Sequence, residues 1–200
     1  MLNSWTNQAK NVGGRQMVKE DQRTMLTKRL LKDSLVKLLK EKSIYKITVR
    51  ELCEIADINR STFYRYYENQ FSLLGEMEEE ILEHIYTNLD SMKGMGRQDN
   101  LDVLIVIMSM LEENVEFSRL LVNNSVDPEF PKRLLNSPQL KVYVENQVQG
   151  TRSPAEIEYL SLFLTFGCFR MVLAWINKKH REPVKEVAMM MNAFIGRLVR

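Results

Sequence analysis

Residues 48–67, Thr-Val-Arg-Glu-Leu-Cys-Glu-Ile-Ala-Asp-Ile-Asn-Arg-Ser-Thr-Phe-Tyr-Arg-Tyr-Tyr, leave few folds open. Thr48 and Glu51 stand at capping-box spacing, the hydroxyl serving the third helical N–H and the carboxylate returning to the cap N–H. Leu52, Ile55 and Ala56 follow as the apolar stripe of a helix of about two turns. Asp57-Ile58-Asn59 breaks that helix. Asp tolerates the left-handed conformation better than most residues, Ile58 is the apolar plug expected where two helices cross, and Asn59 is a good N-cap. The helix that follows, Arg60 to Tyr66, is too short and too polar outside to be a core element. A short helix propped on another and presenting Arg, Ser, Thr and Tyr suits the DNA major groove.

The flanking sequence extends the pattern. Leu26, Leu30, Leu31, Leu35, Leu38 and Leu39 recur at three- and four-residue steps and predict a first helix over about Thr24–Lys42, its other faces basic. A fourth helix is expected from near Asn69 to about Lys93, with Leu74, Met77, Ile81, Ile85, Leu89 and Met92 on one face. Its opposite face carries Glu76, Glu78, Glu79, Glu80 and Glu83 and is expected to stay off DNA. The ordered set Leu30 to Leu39, Thr48-Val49, Ala56, Thr62-Phe63-Tyr64-Arg65-Tyr66-Tyr67 and Leu73-Leu74 resembles the DNA-binding domain of TetR-type transcriptional regulators, over about Thr24 to Leu74. Four positions depart from that family's habit. Asp57 and Ser61 stand where Gly is usual, Gln70 replaces a phosphate-contacting Lys, and Phe71 replaces Glu, so that Phe71 is expected to pack against the fourth helix.

Arg60, Ser61, Thr62, Tyr64, Arg65 and Tyr66 are the expected DNA contacts. The resemblance implies phosphate binding by Thr62 and Tyr64, and Gln70 keeps a donor without the charge. Arg60 and Arg65 suit base reading, because Arg pairs bidentately with guanine. Thr48 caps its helix and offers a backbone N–H to a phosphate. Phe63 and Tyr67 are expected to pack inward.

Charge is distributed in the same sense. Residues 1–70 carry 14 Lys+Arg against 8 Asp+Glu, while residues 71–200 carry 14 against 18, so the positive field lies with the reading helix. Residues 1–22 read as a flexible N-terminal arm hinged at Gly13-Gly14. Lys10, Arg15, Lys19 and Arg23 are basic enough for a minor-groove arm, though a plain extension is the favoured reading. Residues 23–70 form the helix-turn-helix domain and 71–200 a helical effector-binding and dimerisation domain. No Ser/His/Asp set, paired metal ligands or phosphate-cradling glycine loop appears, so neither enzymatic activity, cofactor nor metal is expected. Cys53 and Cys168 read as small buried residues of a reduced, cytoplasmic protein. No N-terminal stretch joins a basic start to an apolar run, so no secretion signal is expected. Tyr159 to Ile176 is borderline in length for a membrane span, but with Arg170 inside it a buried or interfacial helix is expected instead.

The fold class expected is therefore all-α, a three-helix helix-turn-helix domain followed by a larger helical bundle. Gly94–Asn100 reads as a loop, Leu101–Asn114 as a central helix, and Val115–Asn124 as a shorter one. Asp127 and Pro128 read as the cap and first residue of a segment interrupted by Pro131 and Pro138. Ser153-Pro154-Ala155-Glu156 opens a long helix, and Pro183 opens the last, whose apolar side runs Val184, Val187, Ala188, Met191, Phe194, Ile195 and Leu198. The long helix is apolar nearly all round, which implies a homodimer through the last two helices. The function implied is a dimeric regulator, a repressor binding a palindromic double-stranded operator and modulated by a small molecule or partner. A helical adaptor of the same fold that has lost DNA binding is the alternative. Met108, Leu111, Phe117, Leu121, Phe163, Phe166, Met171 and Trp175 are the candidate ligand pocket, although such stripes more often form plain core. Arg170 would pair with an acid across the dimer or meet an anionic ligand, and both stay open.

Overall fold

The computed structural model describes residues 22–91, 97–123, 125–148 and 152–199, with the backbone alone for 97–100. The expected arm at 1–22 thus lies almost wholly outside the described residues. Among the described residues ten α-helices run in order: α1 Gln22–Leu39, α2 Val49–Ala56, α3 Arg60–Tyr66, α4 Gln70–Ser91, α5 Arg97–Glu113, α6 Val115–Val122, α7 Phe130–Leu135, α8 Pro138–Val148, α9 Pro154–Ile176 and α10 Val184–Leu198. A 3-10 turn, Ile44–Lys46, links α1 to α2. There is no strand among the described residues, as the missing two-residue alternation predicts.

The chain divides into two compact units, one ending at Glu80 and one beginning at Ile81. The sequence suggests a boundary at 70/71; the first turns of α4 instead belong with the helix-turn-helix. Leu73, Leu74 and Met77 are buried there, and Glu76 and Glu80 bond to lysines of α1. The supposed acidic face of α4 is therefore largely consumed: Glu78 is buried, and Glu79 and Glu83 stay exposed.

The first unit closes over Leu31, Leu35, Ile44, Ile47, Leu52 and Phe63. Each such side chain contributes roughly 1.5–3 kcal/mol by leaving water. The stripe on α1 is narrower than its periodicity suggests, since Leu26 is 57% exposed and Leu30 is also exposed. On α2 Ile55 stays exposed, and Cys53 takes the inward place beside Leu52 and Ala56.

In the second unit α5 packs along α10, and α8 packs against α9. Met108, Leu111, Trp175, Ile176, Val187, Ala188 and Met191 form the main core, with a second cluster of Val144, Val148, Leu164 and Ile195. Three expectations change here. Helix α5 begins at Arg97, inside the supposed loop. Asp127 caps a turn by accepting from the Glu129 N–H at 2.9 Å rather than starting a helix. Pro131 lies in the first turn of α7 and Pro138 opens α8, positions where the missing N–H costs nothing. The capping box at Ser153 and Glu156 forms as expected.

Asp57 has φ 55° and ψ 47°, the one positive-φ non-glycine among the described residues. Its N–H and that of Ile58 both reach the Cys53 carbonyl, ending α2. The left-handed conformation costs an ordinary L-residue roughly 1–2 kcal/mol. Urea denaturation of Asp57→Gly should show equal or greater stability, and Asp57→Val should lose about 1–2 kcal/mol; a Val variant as stable as the parent would refute the strain.

Candidate nucleic-acid interface

Helix α2 starts as its sequence requires. Thr48 Oγ1 accepts from the Glu51 N–H at 3.3 Å, and the Glu51 carboxylate accepts from the Thr48 N–H at 3.0 Å and its hydroxyl at 2.9 Å. Lys42, just beyond α1, donates to the same carboxylate at 2.5 Å. The Lys42 bond first, and the Thr48 bonds second, pull the Glu51 acid down to about 2. A single side chain thus caps α2 and ties it to the end of α1.

Helix α3 has seven residues, too few to persist alone in water. It is held from one side. Phe63 is fully buried and Tyr67, at the C-cap, is nearly so, their ring centres 5.7 Å apart. The Tyr67 hydroxyl donates to Glu76 at 2.8 Å. Glu76 also accepts from Lys28 at 3.2 Å and lies 2.9 Å from Lys32, which reaches Glu80 at 2.5 Å. Burial raises the Glu76 acid, but Lys32, Tyr67 and Lys28 together outweigh it and hold the group below its usual range. The end of α3 is therefore tied to α1 and α4 through one carboxylate.

The remaining side chains of α3 face away from this anchor. Arg60, Ser61, Tyr64 and Arg65 are exposed, Tyr64 at 58%. Thr62 is half-buried, and Tyr66 leans back so that its hydroxyl lies 3.2 Å from Thr24 Oγ1 on α1. Thr48 is exposed, and Gln70 is half-buried at the first position of α4. Asn69 caps α4, its Oδ1 accepting from the N–H groups of Phe71 at 2.9 Å and Ser72 at 3.1 Å. Phe71, expected against the fourth helix, sits in that helix's first turn and packs on the exposed Tyr45 ring at 5.4 Å. The Tyr45–Phe71 pair was not foreseen, because nothing in the linear pattern brings residue 45 beside residue 71.

The second unit holds two further features. A cavity of about 150 Å³ lies within it, and of the pocket candidates Met108, Leu111 and Leu121 line its wall. Phe117, Met171 and Trp175 are not on that wall. Phe117 and Trp175 are core, and the Trp175 indole N–H donates to the Glu182 carbonyl at 2.9 Å. Phe163 and Phe166 point the other way, 63% and 51% exposed. With Tyr159 and Leu162 they form an exposed apolar stripe at helical spacing along α9, beside exposed Met190, Phe194 and Leu198 on α10. Phe194 and Leu198 thus leave the buried side that the last helix was expected to show. Arg170 is exposed too, and it is absent from the cavity wall. By length and composition α9 is apolar enough to cross a membrane.

Comparison with known proteins agrees with this fold. Residues 98–197, half of the chain, match the TetR C-terminal family described as "Transcriptional regulator C-terminal region". An uncharacterized HTH-type transcriptional regulator of Bacillus subtilis (strain 168), YxbF, is 22% identical over 152 residues, 74% of this chain. That alignment spans only 39% of YxbF. Among solved structures, a TetR transcriptional regulator from Streptococcus agalactiae 2603V has a TM-score of 0.61 at 22% identity, covering 88% of this chain and 96% of that one. The dihydroxyacetone kinase operon activator DhaS has a TM-score of 0.61 at 16% identity, covering 88% and 97%. At these identities the two structures speak for the fold alone.

The depressed Glu51 acid fixes a pH window. Its folded value is about 2 against an ordinary 4.5, so its contribution is complete above pH 4.5 and is lost as pH falls towards 2. Denaturation midpoints measured from pH 5 to 2 should fall less steeply for Glu51→Gln than for the parent; parallel curves would show that the cap carries no charge-dependent stability.

Proposed function

Since the chain belongs to the TetR family of transcriptional regulators, we propose that it binds a palindromic operator as a homodimer, reads it through α3, and represses. The outward display on α3 carries this reading. Arg60, Ser61, Tyr64 and Arg65 face solvent while Phe63 and Tyr67 anchor the helix from behind. Arg60 and Arg65 read base edges, with discrimination of roughly 1–3 kcal/mol for a good bidentate pair. Thr48, Thr62, Tyr64 and Gln70 hold phosphates, and Tyr66 adds its ring edge beside Thr24.

The partner is a second copy of the chain. The stripe of Tyr159, Leu162, Phe163 and Phe166, with Phe194 and Leu198, is what two α9–α10 pairs would bury as a four-helix bundle. A twofold dimer then sets two α3 helices against successive major grooves about 34 Å apart. Arg170, within that stripe, meets an acid of the second copy. Such a protein works in the cytoplasm, with α9 covered by its partner rather than by lipid. A small molecule in the second unit modulates DNA affinity, through unequal binding to the competent and incompetent arrangements.

Titration with operator and with random duplex DNA should show that Arg65→Ala loses roughly 5- to 100-fold in specific affinity, the cost of one base-reading pair, and far less on random duplex. Equal losses would make Arg65 a phosphate contact, and no duplex binding by the parent at low salt would leave an adaptor of this fold. Sedimentation should show Phe163→Glu as a monomer with sharply weakened operator binding, whereas an intact dimer would place the interface elsewhere.

A further inference from the structure

We infer that two copies of the chain dock α9 against α9 in antiparallel register, with Phe163 on the twofold axis, Arg170 of each copy paired with Glu156 of the other, and Tyr159 seated on Gly167. This rests on the reading that the exposed stripe is a homodimer face, and it gives that face an orientation and a register.

Charge spacing is the first argument. Glu156, Phe163 and Arg170 follow one another at seven-residue steps, and all three are exposed. Seven residues make about two turns, so the three stand in one row along α9. The row carries opposite charges on either side of Phe163, the most exposed phenylalanine of the stripe. Arg170 is the one cation of α9, and the helix's other acid, Glu158, lies on a different side. Within one copy Glu156 and Arg170 are about 21 Å apart at the helical rise, too far to pair.

Symmetry then chooses the orientation. A twofold axis along the helix would set each residue against its own copy, Arg170 on Arg170 and Glu156 on Glu156, and like charges in contact destabilise an interface. An axis across the helix runs the two α9 helices antiparallel, and residues equally far to either side of the axis meet. With the axis at Phe163, Arg170 meets Glu156 at both ends of the contact. Helices close to antiparallel are also what a four-helix bundle packs.

Gly167 supports the same register independently. A Cβ built on it meets nothing within 4 Å, so its own chain has no packing need for glycine there. Glycine weakens a helix interior, and its use at 167 asks for a close approach from outside. Tyr159, the bulkiest side chain of the stripe, is 70% exposed and lies as far before Phe163 as Gly167 lies after it. Glu156 is already oriented for its part. Its carboxylate accepts from the Ser153 N–H at 2.8 Å, and the bonds from Ser153 hold the acid below its usual range, so it stands as a fixed anion at neutral pH. A carboxylate has room for further donors, and Arg supplies several.

Sedimentation of the full chain at pH 7 tests this with Arg170→Glu, Glu156→Lys, their equimolar mixture and the double variant. Each single variant sets like charges at both ends and should raise the dimer dissociation constant roughly tenfold or more. The mixture and the double variant restore opposite charges at both ends, and each should dimerise roughly fivefold or more tightly than either single variant. Glu156→Lys also forfeits the cap of α9, a loss the double variant shares, so the recovery is the decisive readout. Gly167→Leu should weaken the dimer, and Tyr159→Ala should restore it in that background. Either single variant dimerising like the parent, a double variant no tighter than the singles, or a monomeric parent would overturn the assignment. A parent dimer that Phe163→Glu breaks but the charge exchanges leave untouched would keep the dimer face and remove this register.

Discussion

A seven-residue helix displaying two arginines and two tyrosines has no stability of its own, and everything proposed for this chain depends on how it is held. Tyr67 is the pivot. Its ring packs with Phe63 beneath α3, and its hydroxyl reaches the same Glu76 carboxylate that Lys28 and Lys32 engage. Lys32 is itself buried. A buried lysine is tolerable only when its charge is matched, and removing one partner of such a cluster costs far more than the cluster contributes as a whole. The same group that orders α3 from behind therefore also explains why α1 and the start of α4 belong to the reading unit.

The second unit raises the opposite problem, a surplus of apolar surface. Helix α9 buries Leu164, Trp175 and Ile176 on one side and leaves Tyr159, Leu162, Phe163 and Phe166 bare on another. A monomer in water seldom shows so continuous a stripe. The second copy proposed above would remove this exposed face and double the reading surface at once.

Much of this is legible in the sequence. The two capping boxes, the left-handed Asp57 and the inward Phe63 and Tyr67 follow from local chemistry, in which the residues concerned are neighbours in the chain. Where the reading slipped, the deciding partner was distant. Periodicity places Leu26 and Ile55 on the apolar stripes but cannot say how wide the covering surface is. Phe163 and Phe166 lie on a helix apolar nearly all round, so sequence alone does not tell core from interface. Glu76 and Glu80 looked like a solvated face, although their four-residue spacing matches that of Lys28 and Lys32 on α1, a signal that could have been used.

The central claim is that paired α3 helices read a double helix. Selection of bound duplexes from a random pool, at moderate salt with the full chain, addresses it directly. The account predicts an enriched inverted repeat whose half-sites lie one helical turn apart. Recovery of sequences with no common element, or of a single half-site without symmetry, would contradict it.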